Sequence, residues 1–134
     1  MSNAFPKHNL ETAPEKSKPL LRQLLEQSGP NGFYSVTAES PETLTAYAML
    51  HKAFMASSFT NEEKTVIWQT INVENQCHFC VPAHTYMAKA MKIDKAVSDA
   101  LRNETALPTA RLEALRDFTL LMLRNHGNAS DAEI

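Results

Sequence analysis

Only three glycines punctuate the 134 residues of this chain, and that scarcity limits the fold more than any motif does. The tight turns of a β-sandwich or barrel need residues at positive φ, which glycine supplies without steric cost. A chain with so few glycines turns rarely and builds long elements. The apolar side chains agree: Ala, Leu and Met supply 37 of the 58, Val and Ile together nine. Ala and straight-chain residues favour helix, whereas β-branched residues favour sheet. The expected fold class is all-α, a single-domain helical bundle of about five to six helices.

Local signals divide the chain. Residues 1–14 are polar and aperiodic and read as a flexible N-terminal arm, with Ser2-Asn3-Ala4 resembling a cloning remnant. Residues 15–134 form the helical domain. Glu15 to Ser28 reads as a first helix, with Leu20, Leu21, Leu24 and Leu25 at helical spacing and Gly29-Pro30 as its stop. Residues 31–38 read as a loop. Ser40-Pro41-Glu42 opens a second helix, Ser40 as N-cap and Pro41 at the first helical position. Leu44, Tyr47, His51 and Phe54 share one of its faces. Thr60-Asn61-Glu62-Glu63 has the capping-box pattern and predicts a third helix to about Glu74, with Val66, Ile67, Thr70 and Ile71 inward. Further helices are expected from Phe79 to Met91, Asp94 to Arg102, and Thr109 to Asn125, the last with Leu112, Leu115, Phe118 and Met122 inward and Gly127 as a left-handed cap. Ser130-Asp131-Ala132-Glu133 repeats the capping-box pattern just before Ile134, so the chain is expected to be truncated relative to a longer parent.

Charge and length exclude several functions. Thirteen basic against fifteen acidic side chains leave no phosphate-binding stripe, so neither nucleic acid nor an acidic membrane surface is expected as the main partner. No apolar run approaches the ~18 residues of a membrane helix. Met1 to Lys16 lacks the apolar stretch of a signal peptide, which points to a cytoplasmic protein. No glycine-rich phosphate loop is present, so a nucleotide cofactor is not indicated.

One cluster carries chemistry: Cys77-His78-Phe79-Cys80-Val81-Pro82-Ala83-His84. Helical offsets of three and seven residues bring Cys77, Cys80 and His84 within about 60° of arc. Proline is tolerated only in a helix's first turn, so Pro82 sets the helix start near Phe79. Cys80 then lies in the first turn, where N–H groups and the helix dipole favour a thiolate. His84, one turn on, is placed to stabilise it or exchange its proton, and Cys77 to close a disulfide. A structural disulfide across two residues would stabilise little, so redox use is the better account. Three other readings stay open: buried, inert cysteines; a zinc site in which Cys77, Cys80 and His84 need a fourth ligand such as His51 or His78; and a non-catalytic interaction module. Glu74, three residues before Cys77, reads either as a catalytic base or as a solvated residue at a helix end. Glu63 is explained by capping, and His8 and His126 read as surface residues. Met49, Met55, Met87, Met91, Trp68 and Tyr86 read as core or oligomer contacts.

The segment from Thr60 to Ala90 resembles the carboxymuconolactone decarboxylase and alkylhydroperoxidase D-like superfamily. The resemblance rests on Cys77-x-x-Cys80-x-x-x-His84, the preceding Glu74-Asn75 and the helix start near Thr60. Leu107-Pro108 with Leu112-Glu113-Ala114-Leu115 is similar to its downstream helix, and Thr12-Ala13-Pro14 and Glu39-Ser40-Pro41 to its peroxidase-related branch. It implies a helical fold assembling into a dimer, trimer or hexamer through helix packing. It also implies an oxidoreductase, an alkylhydroperoxidase or protein-disulfide reductase, acting on small hydroperoxides or disulfides, needing no metal or organic cofactor and restored by an external dithiol. In such proteins the second cysteine attacks and the first resolves, which assigns those roles to Cys80 and Cys77, with His84 as proton relay. The family's relay glutamate usually lies twelve residues before the first cysteine, where this chain has Thr65. Glu74, Glu63 or water is the substitute. A histidine that some members carry before the second cysteine is replaced by Phe79. The superfamily's lactone decarboxylase branch, which does not depend on the cysteine pair, is the alternative.

Overall fold

A computed structural model describes residues 5–134; Ser2-Asn3-Ala4, expected as a cloning remnant, lies outside the described residues. All regular structure among them is helical, in seven helices rather than five or six. They gather into two compact units, Met1–Ser57 and Ser58–Ile134.

The first unit holds α1 (Lys18–Ser28), α2 (Gly32–Thr37) and α3 (Pro41–Met55). Helix α2 is the extra element. Residues 31–38 read as a loop because Gly32, Val36 and Thr37 are weak helix formers, yet the Asn31 side chain accepts the Phe33 N–H and starts a short helix. Ser40 caps α3 through the Thr43 N–H, as expected. The first helix begins three residues later than expected, because residues 15–17 form a turn. The segment expected as a loose arm is docked from His8 onward. The His8 N–H bonds Ser35 O, the Asn9 side chain accepts from Glu11 and Thr12, and Ala13 joins Leu21, Ala38 and Leu44 in the core. Neither is His8 a simple surface residue: its ring is largely buried and pairs with Glu39.

The second unit holds α4 (Asn61–Glu74), α5 (Cys80–Ala90), α6 (Lys95–Asn103) and α7 (Ala110–Arg124). Its start is the capping box foreseen at Thr60: the Thr60 side chain accepts the Glu63 N–H, and the Glu63 carboxylate accepts the Thr60 N–H. Val66, Val97, Ala100, Leu101, Leu107 and Leu112 form the core, backed by Ile93 and Leu115. Phe118, expected inward, is exposed; so are Tyr86 here and Met49 and Met55 on α3 of the first unit, which are therefore not core. Two ion pairs fix α4 against α7. Near both N-termini Arg111 Nε donates to Glu63 at 2.7 Å; at both C-termini Arg124 grips Glu74 through two hydrogen bonds of 2.6 and 2.9 Å. Starts pair with starts and ends with ends, so the two helices run parallel.

All four helices of this unit stop on a non-glycine residue at positive φ: Gln76, Lys92, Glu104 and His126. Gly127, expected as the left-handed cap of α7, is the second such residue, and the reversal begins at His126. Its N–H reaches back to Leu123 O while the Gly127 N–H reaches Met122 O, the paired bonds of a Schellman ending. The closing Ser130–Glu133 pattern forms half of its box, with the Ser130 N–H on the Glu133 carboxylate, in a turn.

Candidate functional site

The end of α4 delivers the first cysteine. Gln76 takes the left-handed conformation at φ 49°, its N–H bonds Val73 O, and the Cys77 N–H bonds Asn72 O at 3.0 Å. This is again a Schellman ending, with Cys77 as the residue whose N–H closes the six-residue loop. Cys77 therefore lies off the helix, in a short turn with exposed His78 and Phe79, and the chain re-enters helix at Cys80. That start agrees with the limit set by Pro82.

Cys77 and Cys80 form a disulfide, S–S 2.07 Å. Both residues are half-buried. An α-helix leaves its first N–H groups without partners inside the helix, and no side chain of Phe79 caps α5. Cys77 fills that role. Its Sγ accepts the Cys80 N–H at 3.1 Å and its carbonyl accepts the Val81 N–H at 3.1 Å. Pro82 has no N–H to satisfy, and the Ala83 N–H bonds Phe79 O. The pair thus replaces an ordinary N-cap, and the N–H that reaches a sulfur reaches Cys77.

His84 stands on α5 one turn beyond Cys80, a spacing that brings Cβ atoms to about 5–6 Å. Its ring packs tilted against Trp68 of α4, with centroids 4.9 Å apart. Beside it lies a polar network that the sequence reading passed over. Gln69 is fully buried; its amide donates to Val81 O at 3.1 Å and to the Thr85 hydroxyl at 3.0 Å, and its carbonyl accepts from Asn72 at 3.1 Å. Thr85 in turn donates to Val81 O. The network ties the end of α4, the carbonyl beside Cys80 and the turn carrying His84 into one assembly. A polar residue three positions from Val66 and four from Val73, in the phase of an inward face, was the signal that marked it.

The carboxylates are placed differently. Glu74 sits at the end of α4, where hydrogen bonds from Arg124 hold its carboxyl below the usual range. That lowers its strength as a base, and the pairing ties it to α7. Glu63 is held low by the Thr60 N–H first and Arg111 second. Thr65, at the family's relay position, is buried and donates its hydroxyl to Asn61 O at 2.8 Å. His51 belongs to the first unit, where it stacks on Tyr47 at 6.1 Å and burial lowers its pKa.

The assembly provides a sulfur–sulfur bond at a helix start with an imidazole one turn on. Among the described residues no group of three His, Cys, Asp or Glu side chains is placed to hold a metal, and no helix is long and apolar enough to cross a membrane. In comparisons with models of protein families and with curated proteins the chain matches none.

Proposed function

We propose that the protein is a thiol-dependent oxidoreductase of the alkylhydroperoxidase D-like type that cycles Cys77 and Cys80 between disulfide and dithiol. The observation that carries this reading is the Cys77–Cys80 bond at the start of α5, where the Cys77 sulfur caps the helix by accepting the Cys80 N–H. With a hydroperoxide, one thiolate attacks the outer oxygen and the O–O bond breaks. An alcohol leaves and a sulfenic acid remains. The second thiolate displaces that oxygen as water and closes the disulfide. With a disulfide substrate the same pair works by two exchanges. An external dithiol returns the two electrons. His84 exchanges the protons, and Glu74 is better placed to hold α4 against α7 than to act as base. Exposed Met49 and Leu50 on α3 support assembly into a homo-oligomer through helix packing.

The test starts from reduced protein. Addition of an alkyl hydroperoxide or a small aromatic disulfide should consume two thiols per chain, and dithiothreitol should restore them. Turnover should vanish in Cys77→Ser and in Cys80→Ser. Thiols that survive both oxidants would overturn the reading, and decarboxylation of a lactone that survives the double substitution would point to the decarboxylase branch.

A further inference from the structure

Resting on the redox reading above, we infer that Cys77, not Cys80, is the sulfur held as thiolate in the reduced pair and the one that attacks a disulfide substrate. This reverses both the expectation drawn from Cys80's place in the first turn and the roles that the family resemblance implies. The argument is one of donors. A thiolate at a helix start is stabilised by the N–H groups aimed at it, and here the Cys80 N–H is aimed at Cys77 Sγ at 3.1 Å. In the first turn of α5 the other N–H groups are committed to carbonyls: Val81 to Cys77 O and Ala83 to Phe79 O. Pro82 supplies none. Cys80 sits inside the first turn, but its own backbone serves its neighbour.

The surrounding structure keeps that donor in place. Asn72 O fixes the Cys77 N–H, and the Asn72 side chain reaches Gln69, which holds Val81 O. Both ends of the Cys77-to-Cys80 turn are therefore anchored to one buried amide. Breaking the sulfur–sulfur bond removes none of these contacts.

The reaction then runs in two balanced exchanges. The Cys77 thiolate attacks one sulfur of R–S–S–R′. The S–S bond breaks, R′–S⁻ leaves, and Cys77 carries a mixed disulfide with R. The Cys80 thiol gives its proton to His84 and attacks Cys77 Sγ, expelling R–S⁻ and forming the Cys77–Cys80 bond. The two leaving thiolates take up protons, one of them from His84. The substrate gains the two electrons that the pair loses.

Single-cysteine variants test it, because Cys80→Ser removes the sulfur but keeps the backbone N–H. Alkylation of each lone thiol by iodoacetamide is followed against pH, with helix content checked by circular dichroism. The expected result is an apparent pKa for Cys77 in Cys80→Ser at least about one unit below that of Cys80 in Cys77→Ser, and below the ~8.5 of a free thiol. With 5,5′-dithiobis(2-nitrobenzoate) near pH 6, Cys80→Ser should form its mixed disulfide at least about tenfold faster. The opposite order, with Cys80 the lower and faster thiol, overturns the assignment and leaves the redox reading standing. Two ordinary thiols overturn both. Should Cys80→Ser misfold, mass spectrometry of reduced wild-type protein alkylated with one equivalent of iodoacetamide decides the same question: label on Cys77 supports the assignment, and label on Cys80 refutes it.

Discussion

One helix of the first unit and the four helices of the second end by opposite means. In the first, α1 stops on Gly29 at φ 72° and ψ −171°, a conformation essentially reserved for glycine. In the second, four successive helices reverse on Gln76, Lys92, Glu104 and His126, residues that pay about 1–2 kcal/mol to go left-handed. The stop of α1 is chosen by residue type, while α2 and α3 end at Ala38 and Ala56 with no left-handed residue. The stops of the second unit are imposed by backbone bonds reaching back into the helix, such as Cys77 N–H to Asn72 O and Ile93 N–H to Ala88 O. The lesson concerns the site: the turn that presents Cys77 exists because the helices around it are packed, not because Gln76 prefers it. Disturbing the packing of the second unit should therefore reach the sulfur chemistry.

The largest expected effect follows directly. Leu101 is buried at the centre of the second core, and Leu101→Ala should lower that unit's stability by about 2–5 kcal/mol, the usual cost of truncating a buried leucine. Urea unfolding followed by Trp68 fluorescence measures it, since Trp68 lies on α4. A loss below 1 kcal/mol would mean that the core does not hold the unit.

Gln69→Leu comes next. It leaves Val81 O and the Asn72 amide short of partners they had in the interior, a loss of about 1–3 kcal/mol. It should also raise the apparent pKa of the reactive thiol, because the turn is no longer pinned at Val81. A variant that loses stability while the thiol titrates unchanged would make Gln69 purely structural.

Acid should separate the two units. His51 in the first has its pKa lowered by burial, so its contribution is complete above the ~6.5 of a free histidine and is lost as pH falls through its lower folded value. Glu63 and Glu74 in the second are also depressed, by the Thr60 N–H and by Arg124 respectively. Their contribution is complete above the ~4.3 of a free glutamate and is lost only as pH falls below it. Thermal melts between about pH 7 and pH 3 should show an upper limb that His51→Gln flattens and a lower limb that Glu63→Gln and Glu74→Gln flatten. A lower limb unchanged in both glutamate variants would remove the ion pairs from the account.

What the sequence made legible was local. Thr60 and Glu63 lie three residues apart, and both halves of their box form. Ser40 capped where its neighbour Pro41 said it would, and Pro82 placed the start of α5. What it hid was either long-range or weak. Glu63–Arg111 and Glu74–Arg124 join residues far apart in sequence, and no local pattern pairs them. Glu74 looked free to act as a base for that reason. The cysteine pair was visible at once, but the direction of its hydrogen bond was not, because it depends on how the chain turns between Asn72 and Cys80. Helix α2 escaped because Asn31 is a good cap for a segment of poor helix formers.

The smallest effect tests the opening contrast most directly. If Gln76 is held left-handed by its surroundings, glycine there should relieve the steric cost. It gives back part of that gain through the greater freedom of the unfolded chain, about 0.5–1 kcal/mol. Gln76 is exposed, so the substitution removes little else. Gln76→Gly should therefore leave stability unchanged or raise it by up to about 1 kcal/mol. The mirror experiment, Gly29→Ala, should cost about 1–3 kcal/mol, although the space around a Cβ at that position is open; the penalty there is conformational alone. Chemical denaturation of both variants beside the parent gives the two signs. A marked loss in Gln76→Gly would mean that the side chain, not the backbone, holds the Cys77 turn. The reach of α4 packing into the sulfur site would then run through Gln76 itself.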